Sequence, residues 1–122
     1  MENFVVCITA KDGSGDAVEE FYLRDNATYE GVKGYLGRQI YRAKTGTMYA
    51  AVKERMTAEE IAQHPEPDHG PGTGVHFIIV EQWESIDDRM NFSFSRDKSR
   101  DRDLFPLLDP AHSHEFYQEV KD

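Results

Sequence analysis

The sequence predicts an α+β domain of β-α-β-β-α-β order, and three observations predict it. The longest apolar run, Val75-His76-Phe77-Ile78-Ile79-Val80-Glu81-Gln82-Trp83, is rich in β-branched and aromatic residues and too short for a buried helix. It has apolar groups on both faces, as a central strand requires. Phe4-Val5-Val6-Cys7-Ile8-Thr9-Ala10 repeats that pattern near the N-terminus. Each of these runs leads into a helix-opening signal: Asp16-Ala17-Val18-Glu19 after the first, Ser85-Ile86-Asp87-Asp88 directly after the second.

In chain order, residues 4–10 form the first strand and 11–15 a glycine-containing loop. A helix capped by Asp16 covers 17–32, with Val18, Phe21, Tyr22, Tyr29 and Val32 on one stripe and Gly31 and Gly34 at its end. Residues 35–44 form the second strand. Strict alternation places Tyr35, Gly37, Gln39 and Tyr41 on one face, and Leu36, Arg38, Ile40 and Arg42 on the other. Residues 48–55 suit either a continued hairpin or a helix. Thr57-Ala58-Glu59-Glu60 caps a short helix to about Gln63, and the Pro/Gly-rich 64–74 is a loop. After the central strand, a helix from Ile86 kinks or restarts near Ser95, because Phe92-Ser93-Phe94-Ser95 keeps period two. Leu104, Phe105, Leu107 and Leu108 make an apolar patch ended by Asp109-Pro110, and 112–120 form the last strand. The sum is a single ferredoxin-like domain over 1–122, four antiparallel strands with helices on one face and an insert at about 45–74. The strands are apolar on the other face too, so a second copy is expected there: a homodimer packed sheet against sheet.

The 122 residues suffice for one domain with its own core. Twenty-three acidic against 14 basic residues, a net charge of −9, argue against nucleic acid or an anionic membrane as partner. One cysteine, no apolar run near membrane-span length and no basic leader point to a cytoplasmic protein. The stretch Arg96-Asp97-Lys98-Ser99-Arg100-Asp101-Arg102 mixes both signs and reads as an internally paired helix face or an anion site.

Phe77-Ile78-Ile79-Val80-Glu81-Gln82-Trp83-Glu84-Ser85 resembles the strand-to-helix signature of the antibiotic biosynthesis monooxygenase family. Gly34-Tyr35-Leu36-Gly37-Arg38-Gln39-Ile40-Tyr41-Arg42 is similar to that family's second strand, and Leu104-Phe105-Pro106-Leu107-Leu108 with the closing strand is similar too. The resemblance implies a dimeric α+β barrel. It also implies oxygenation of a quinol-like or polyketide-like aromatic without metal or flavin, through a carbanion that reduces O2, in a pocket that Trp83 lines. The chain departs from the family on its second helix, where Phe92 and Ser93 stand in place of a frequent histidine, and in the length of its insert. The same superfamily holds haem-degrading enzymes, so haem binding is an alternative, which the missing helix histidine weakens.

Trp83 is read either as a core anchor or as a face for stacking a substrate ring, and Tyr35 and Phe92 are the further substrate-binding candidates. A phenolic substrate must lose a proton in a site that stabilises the charge; Tyr41, Arg96 and Arg100 are the catalytic candidates. His76 points away from Trp83 by strand alternation. His112 and His114 share a strand face and, with His64, Asp68 and His69, make a metal-ligand candidate that lacks a recognised spacing; no metal or other cofactor is expected. Cys7 reads as an inert buried thiol. The expected function is cofactor-independent oxygenation of a small hydrophobic or aromatic molecule. The alternative is a dimer that binds such a molecule, or serves structure, without catalysis.

Overall fold

The computed structural model describes residues 1–63 and 74–121. Strands β1 (Glu2–Ala10), β2 (Tyr35–Arg42), β3 (Val75–Trp83) and β4 (Ser113–Tyr117) form one antiparallel sheet in the order β2-β3-β1-β4. This is the predicted ferredoxin-like arrangement. β1 and β3 pair over their whole length, from Glu2 opposite Trp83 to Ala10 opposite Val75. Phe4, Val6, Ile8 and Ala10 of β1, with Phe77, Ile79, Glu81 and Trp83 of β3, are buried on the helix side. The other side of the sheet carries Cys7, Val80, Ile78 and Tyr41, the last two 45% and 56% exposed.

Helix α1 spans Gly15–Asp25 and starts at Ser14 rather than Asp16. Asp16 does not cap it: its carboxylate accepts from Arg42 Nη1 at 2.8 Å and ties α1 to β2. The helix also ends seven residues before the expected Val32. The Thr28 hydroxyl donates to the Asp25 carbonyl at 2.7 Å, a local bond that competes with helix, and a 3-10 turn over Asn26–Tyr29 follows. The turn still buries Tyr29 with Val18, Phe21 and Tyr22, so the apolar stripe is right although the helix is shorter.

A bulge in β2 alters the face assignment. Tyr35 pairs with Trp83, Gly37 with Gln82 and Arg38 with Glu81, one residue more on β2 than on β3. Tyr35 therefore lies on the Trp83 side with Arg38. Tyr41 lies on the opposite side, paired with Ile78.

Residues 48–55 resolve as helix: α2 covers Thr47–Lys53 and α3 covers Ala58–Gln63. The predicted capping box is present, with Glu60 N–H donating to Thr57 Oγ1 at 3.1 Å and Thr57 N–H to Glu60 Oε1 at 3.4 Å. The loop expected over 64–74 lies, except for Gly74, outside the described residues, as do His64, Asp68 and His69. Helix α4 (Ile86–Ser95) is capped by Ser85 Oγ, which accepts from Asp88 N–H at 3.1 Å. Arg96 is extended, and α5 restarts at Ser99–Leu104, the break expected near Ser95. β4 is shorter than the predicted 112–120. Tyr117 already pairs with Asn3, and β1 has one residue left beyond it to extend the ladder. No helix among the described residues is long and apolar enough to cross a membrane.

Candidate active site

Two buried carboxylates organise the space between sheet and helices. Glu81, on β3 between Ile79 and Trp83, is 2% exposed. Its Oε1 accepts from Trp83 Nε1 at 2.9 Å and Arg89 Nε at 2.7 Å, and its Oε2 from the Tyr29 hydroxyl at 2.8 Å. At this depth a cation and two neutral donors stand where water would otherwise solvate the carboxylate. Arg89, on α4, also donates to Ser93 and lies 4.4 Å over the Phe4 ring.

Asp25, at the end of α1, gathers three guanidiniums. Arg96 Nη2 donates to both its oxygens at 2.8 and 2.9 Å, and Arg100 donates through Nε at 3.2 Å and Nη2 at 2.6 Å. Burial alone would raise the Asp25 pKa, but the bonds from Arg100 and Arg96 outweigh it and hold the carboxyl below its ordinary value. The third cation is Arg38, whose Nη1 stands 3.6 Å from Asp25 Oδ2. Its side chain is 1% exposed, and none of its three nitrogens has a hydrogen-bond partner. It stacks between the rings of Tyr29, 4.4 Å away, and Tyr22, 5.3 Å away. Tyr29 joins the two carboxylate clusters, because its hydroxyl accepts from Arg96 Nη1 at 3.2 Å while donating to Glu81. Burial pushes the pKa values of Tyr22 and Tyr29 up to about 12, so both phenols stay protonated donors.

A cavity of about 480 Å³ opens between the sheet and the α4–α5 segment, within the size range of small-molecule sites. Its apolar floor includes Phe4, Val6 and Leu104, and its polar lining includes Arg89, Arg96, Arg100, Tyr22 and His114, with Lys98 and the acids Asp97, Asp101 and Glu115. Arg96 and Arg100 also line a second hollow on the Asp25 side, with Phe92, so the Asp25 ion pairs form the partition between the two. His114 stands at the rim on exposed β4, its ring 6.2 Å from that of Phe4. Desolvation on that side, then the neighbouring His112, push its pKa below the ordinary 6.5. An imidazole so held is neutral and can accept a proton at neutral pH.

Five of the expected site residues lie on the helix side. Arg96 and Arg100 share Asp25 at the cavity wall. Tyr35 and Phe92 pack on Trp83 with ring centroids 5.5 Å away in each case. Trp83 itself is fully buried and stands behind the cavity rather than among its lining residues, in the place of a core anchor. Tyr41 does not join them: it is on the opposite face of the sheet, because the bulge separates it from Tyr35. His76 is on that face too, with Nδ1 2.7 Å from Thr9 Oγ1. His112 and His114 approach each other at 3.2 Å, yet no group of three or more His, Cys, Asp or Glu side chains is arranged to hold a metal among the described residues.

Sequence reasoning missed Glu81, Arg89, Asp25, Arg38 and Tyr22 and weighed His114 only as a metal ligand. Glu81 had a visible signal, an acid on the buried alternation of a strand apolar on both faces. Asp25 had none, since the helix was expected to continue past it.

No family model and no curated protein matches the sequence. Solved structures match it over nearly the whole chain. A protein named as an antibiotic biosynthesis monooxygenase from Bordetella bronchiseptica is similar with a TM-score of 0.65 at 15% identity, covering 98% of this chain and 97% of that one. SnoaB, a cofactor-independent oxygenase from Streptomyces nogalater, is similar with a TM-score of 0.62 at 10% identity, covering 99% and 95%. A mutant of MhuD with two manganese protoporphyrin IX bound per active site gives 0.58 at 15% identity, covering 100% and 97%. The resemblance of the strand and helix motifs thus extends to the whole architecture, and the chain has the fold of the antibiotic biosynthesis monooxygenase structures.

Proposed function

We propose that this chain is an oxygenase that acts, without metal or flavin, on a small aromatic molecule of quinol-like or polyketide-like type. One observation carries the reading: a histidine disposed to be neutral, His114, lines the same cavity as the guanidiniums of Arg89, Arg96 and Arg100. That pairing suits removal of a proton from an acidic C–H or O–H. His114 accepts the proton, and the arginines stabilise the anion left behind. Tyr22, protonated throughout the neutral range, donates to the anionic oxygen. The carbanion then passes two electrons to O2, a C–O bond forms as a peroxide, and loss of water leaves a carbonyl where a CH2 stood. Both oxygens are accounted for, one in the product and one in water.

The protein works as a homodimer in a cytoplasmic setting in this reading. The exposed Ile78 and Tyr41 on the sheet face away from the helices support the dimer, as apolar groups a second copy would cover. The fold shared with SnoaB supports the reaction class. Oxygen consumption by the purified chain, with chelator and no added flavin, against a panel of dihydroxyaromatics and anthrone-type compounds tests it. Turnover of one such compound with a carbonyl product is expected, and uptake no faster than the protein-free rate across the panel overturns it.

The fold shared with the porphyrin-bound MhuD mutant favours haem binding as the second reading, with His114 as the histidine at the cavity. Titration with haemin separates the two: a strong Soret band that His114→Ala abolishes supports haem, and its absence leaves the oxygenase.

A further inference from the structure

We propose that the ligand of this cavity is an apolar carboxylate, received by Arg96 and Arg100 in exchange for Asp25. The inference rests on the site placed above and adds the charge and shape of what it holds. Glu81 is matched by Arg89 and two neutral donors, but Asp25 is a single carboxylate among three guanidiniums. The four arginine side chains are between 1% and 24% exposed, so the buried set carries two positive charges more than its acids, in a chain whose net charge is −9. At the rim stand Lys98 and the acids Asp97, Asp101 and Glu115, which oppose this excess in number. Lys98, Asp97 and Glu115 are exposed, and Asp101 is 42% exposed while reaching Arg100 only at 3.5 Å. Solvent and salt screen these rim charges far more than the buried ones.

Arg38 is the second observation. A buried guanidinium with no acceptor on any nitrogen is unfavourable, and Arg38 is in that state 3.6 Å from Asp25. A planar carboxylate entering the cavity matches the forked donors of Arg96 and Arg100. Asp25, displaced from them, needs to move only a short way to hydrogen-bond Arg38. The exchange thus brings an acceptor to every guanidinium of the cluster. The floor of Phe4, Val6 and Leu104 calls for an apolar body behind the carboxylate, which sets this ligand apart from a small inorganic anion.

Binding of 2-naphthoate, the isosteric neutral 2-naphthamide and inorganic phosphate to the full chain, followed by calorimetry at fixed pH and salt, tests the proposal. Naphthoate should bind at least about tenfold more tightly than either of the others. Equal affinity for naphthoate and naphthamide overturns the anionic ligand while leaving the cavity as the site. Phosphate binding as tightly as naphthoate overturns the apolar carboxylate. No binding of either naphthalene overturns both the proposal and the site. Arg38→Met tests the exchange: with no second partner for Asp25, naphthoate affinity should fall toward that of naphthamide, whose own affinity holds. A naphthoate advantage unchanged in a folded Arg38→Met overturns the exchange, and the wild-type comparison decides the ligand class should that variant fail to fold.

Discussion

Trp83 donates its indole N–H to Glu81 Oε1 across 2.9 Å, although the two residues stand only two positions apart on one strand. Both point to the helix side, and the bond lets a buried carboxylate and a buried indole satisfy each other without water. Trp83→Phe keeps the ring packing and removes one donor from Glu81, at an expected cost of about 1–3 kcal/mol. Trp83→Ala also leaves a cavity against Tyr29, Tyr35 and Phe92 and should cost about 3–5 kcal/mol. Urea unfolding of the two variants measures both. Equal losses would show that the indole N–H contributes more than the ring volume.

Asp25→Asn should destabilise the fold by about 3–5 kcal/mol, because it leaves Arg96 and Arg100 without their buried anion. The pH dependence has a definite sign. The folded-state pKa of Asp25 lies below its ordinary 3.8, so its contribution is complete above 3.8 and is lost as pH falls through the lower folded value. Unfolding midpoints followed from neutral pH into that range should therefore fall more steeply for the native chain than for Asp25→Asn. Parallel curves would mean that other carboxylates carry the acid sensitivity.

These two carboxylates also mark what sequence alone could and could not reveal. The chain order of the elements, the capping box at Thr57, the N-cap at Ser85 and the break near Ser95 were legible because periodicity and short-range hydrogen bonding set them. Trp83, Tyr35 and Phe92 were each legible as candidates for binding a substrate, but their mutual packing comes from the bulge and the strand–helix junction, which only the structure shows. The bulge between Tyr35 and Gly37 was not legible, since a single extra residue leaves the composition of β2 unchanged while it reverses which side Tyr35 faces. Asp25 and Arg96 are 71 positions apart, and no local pattern announces such a pair.

Gly34 is tied to the start of α4 by both conformation and space. Its φ is +84°, its carbonyl accepts from Glu84 N–H at 2.8 Å, and a Cβ there would stand 2.5 Å from Asp88 Cβ. Gly34→Ala should lose about 1–2 kcal/mol from the left-handed conformation alone and more from moving Asp88 off its cap. Gly46→Ala, with φ +82° and open space, isolates the backbone part. Urea midpoints that fall equally in the two variants would rule out the contact with Asp88.

The open sheet face gives a prediction on assembly. Ile78 and Tyr41 are paired neighbours there and exposed, so a homodimer buried through them should dissociate when Ile78 is replaced by Asp. Sedimentation at micromolar concentration should report a dimer for the native chain and a folded monomer near 14.0 kDa for the variant. A native chain that sediments as a monomer across that range would remove the sheet-to-sheet dimer.

His114 sets the expected pH profile of the proposed reaction. Desolvation lowers its pKa, the neighbouring His112 and the charges of Arg89 and Arg100 lower it further, and Glu81 opposes them. With a pKa below 6.5, the imidazole is a competent proton acceptor at neutral pH, and kcat/KM should fall only as pH drops through that lowered value. His114→Gln keeps a hydrogen-bonding side chain but cannot take the proton, so the rate should drop by about 10²–10⁴-fold and the acid limb should vanish. Replacing His112 by Ala removes one of the influences that lower the pKa, so the acid limb should move to higher pH with the plateau rate kept. A limb that stays in place in both variants would assign the proton transfer to another group. Loss of the plateau without any change in the limb would make His114 a wall of the cavity rather than its base.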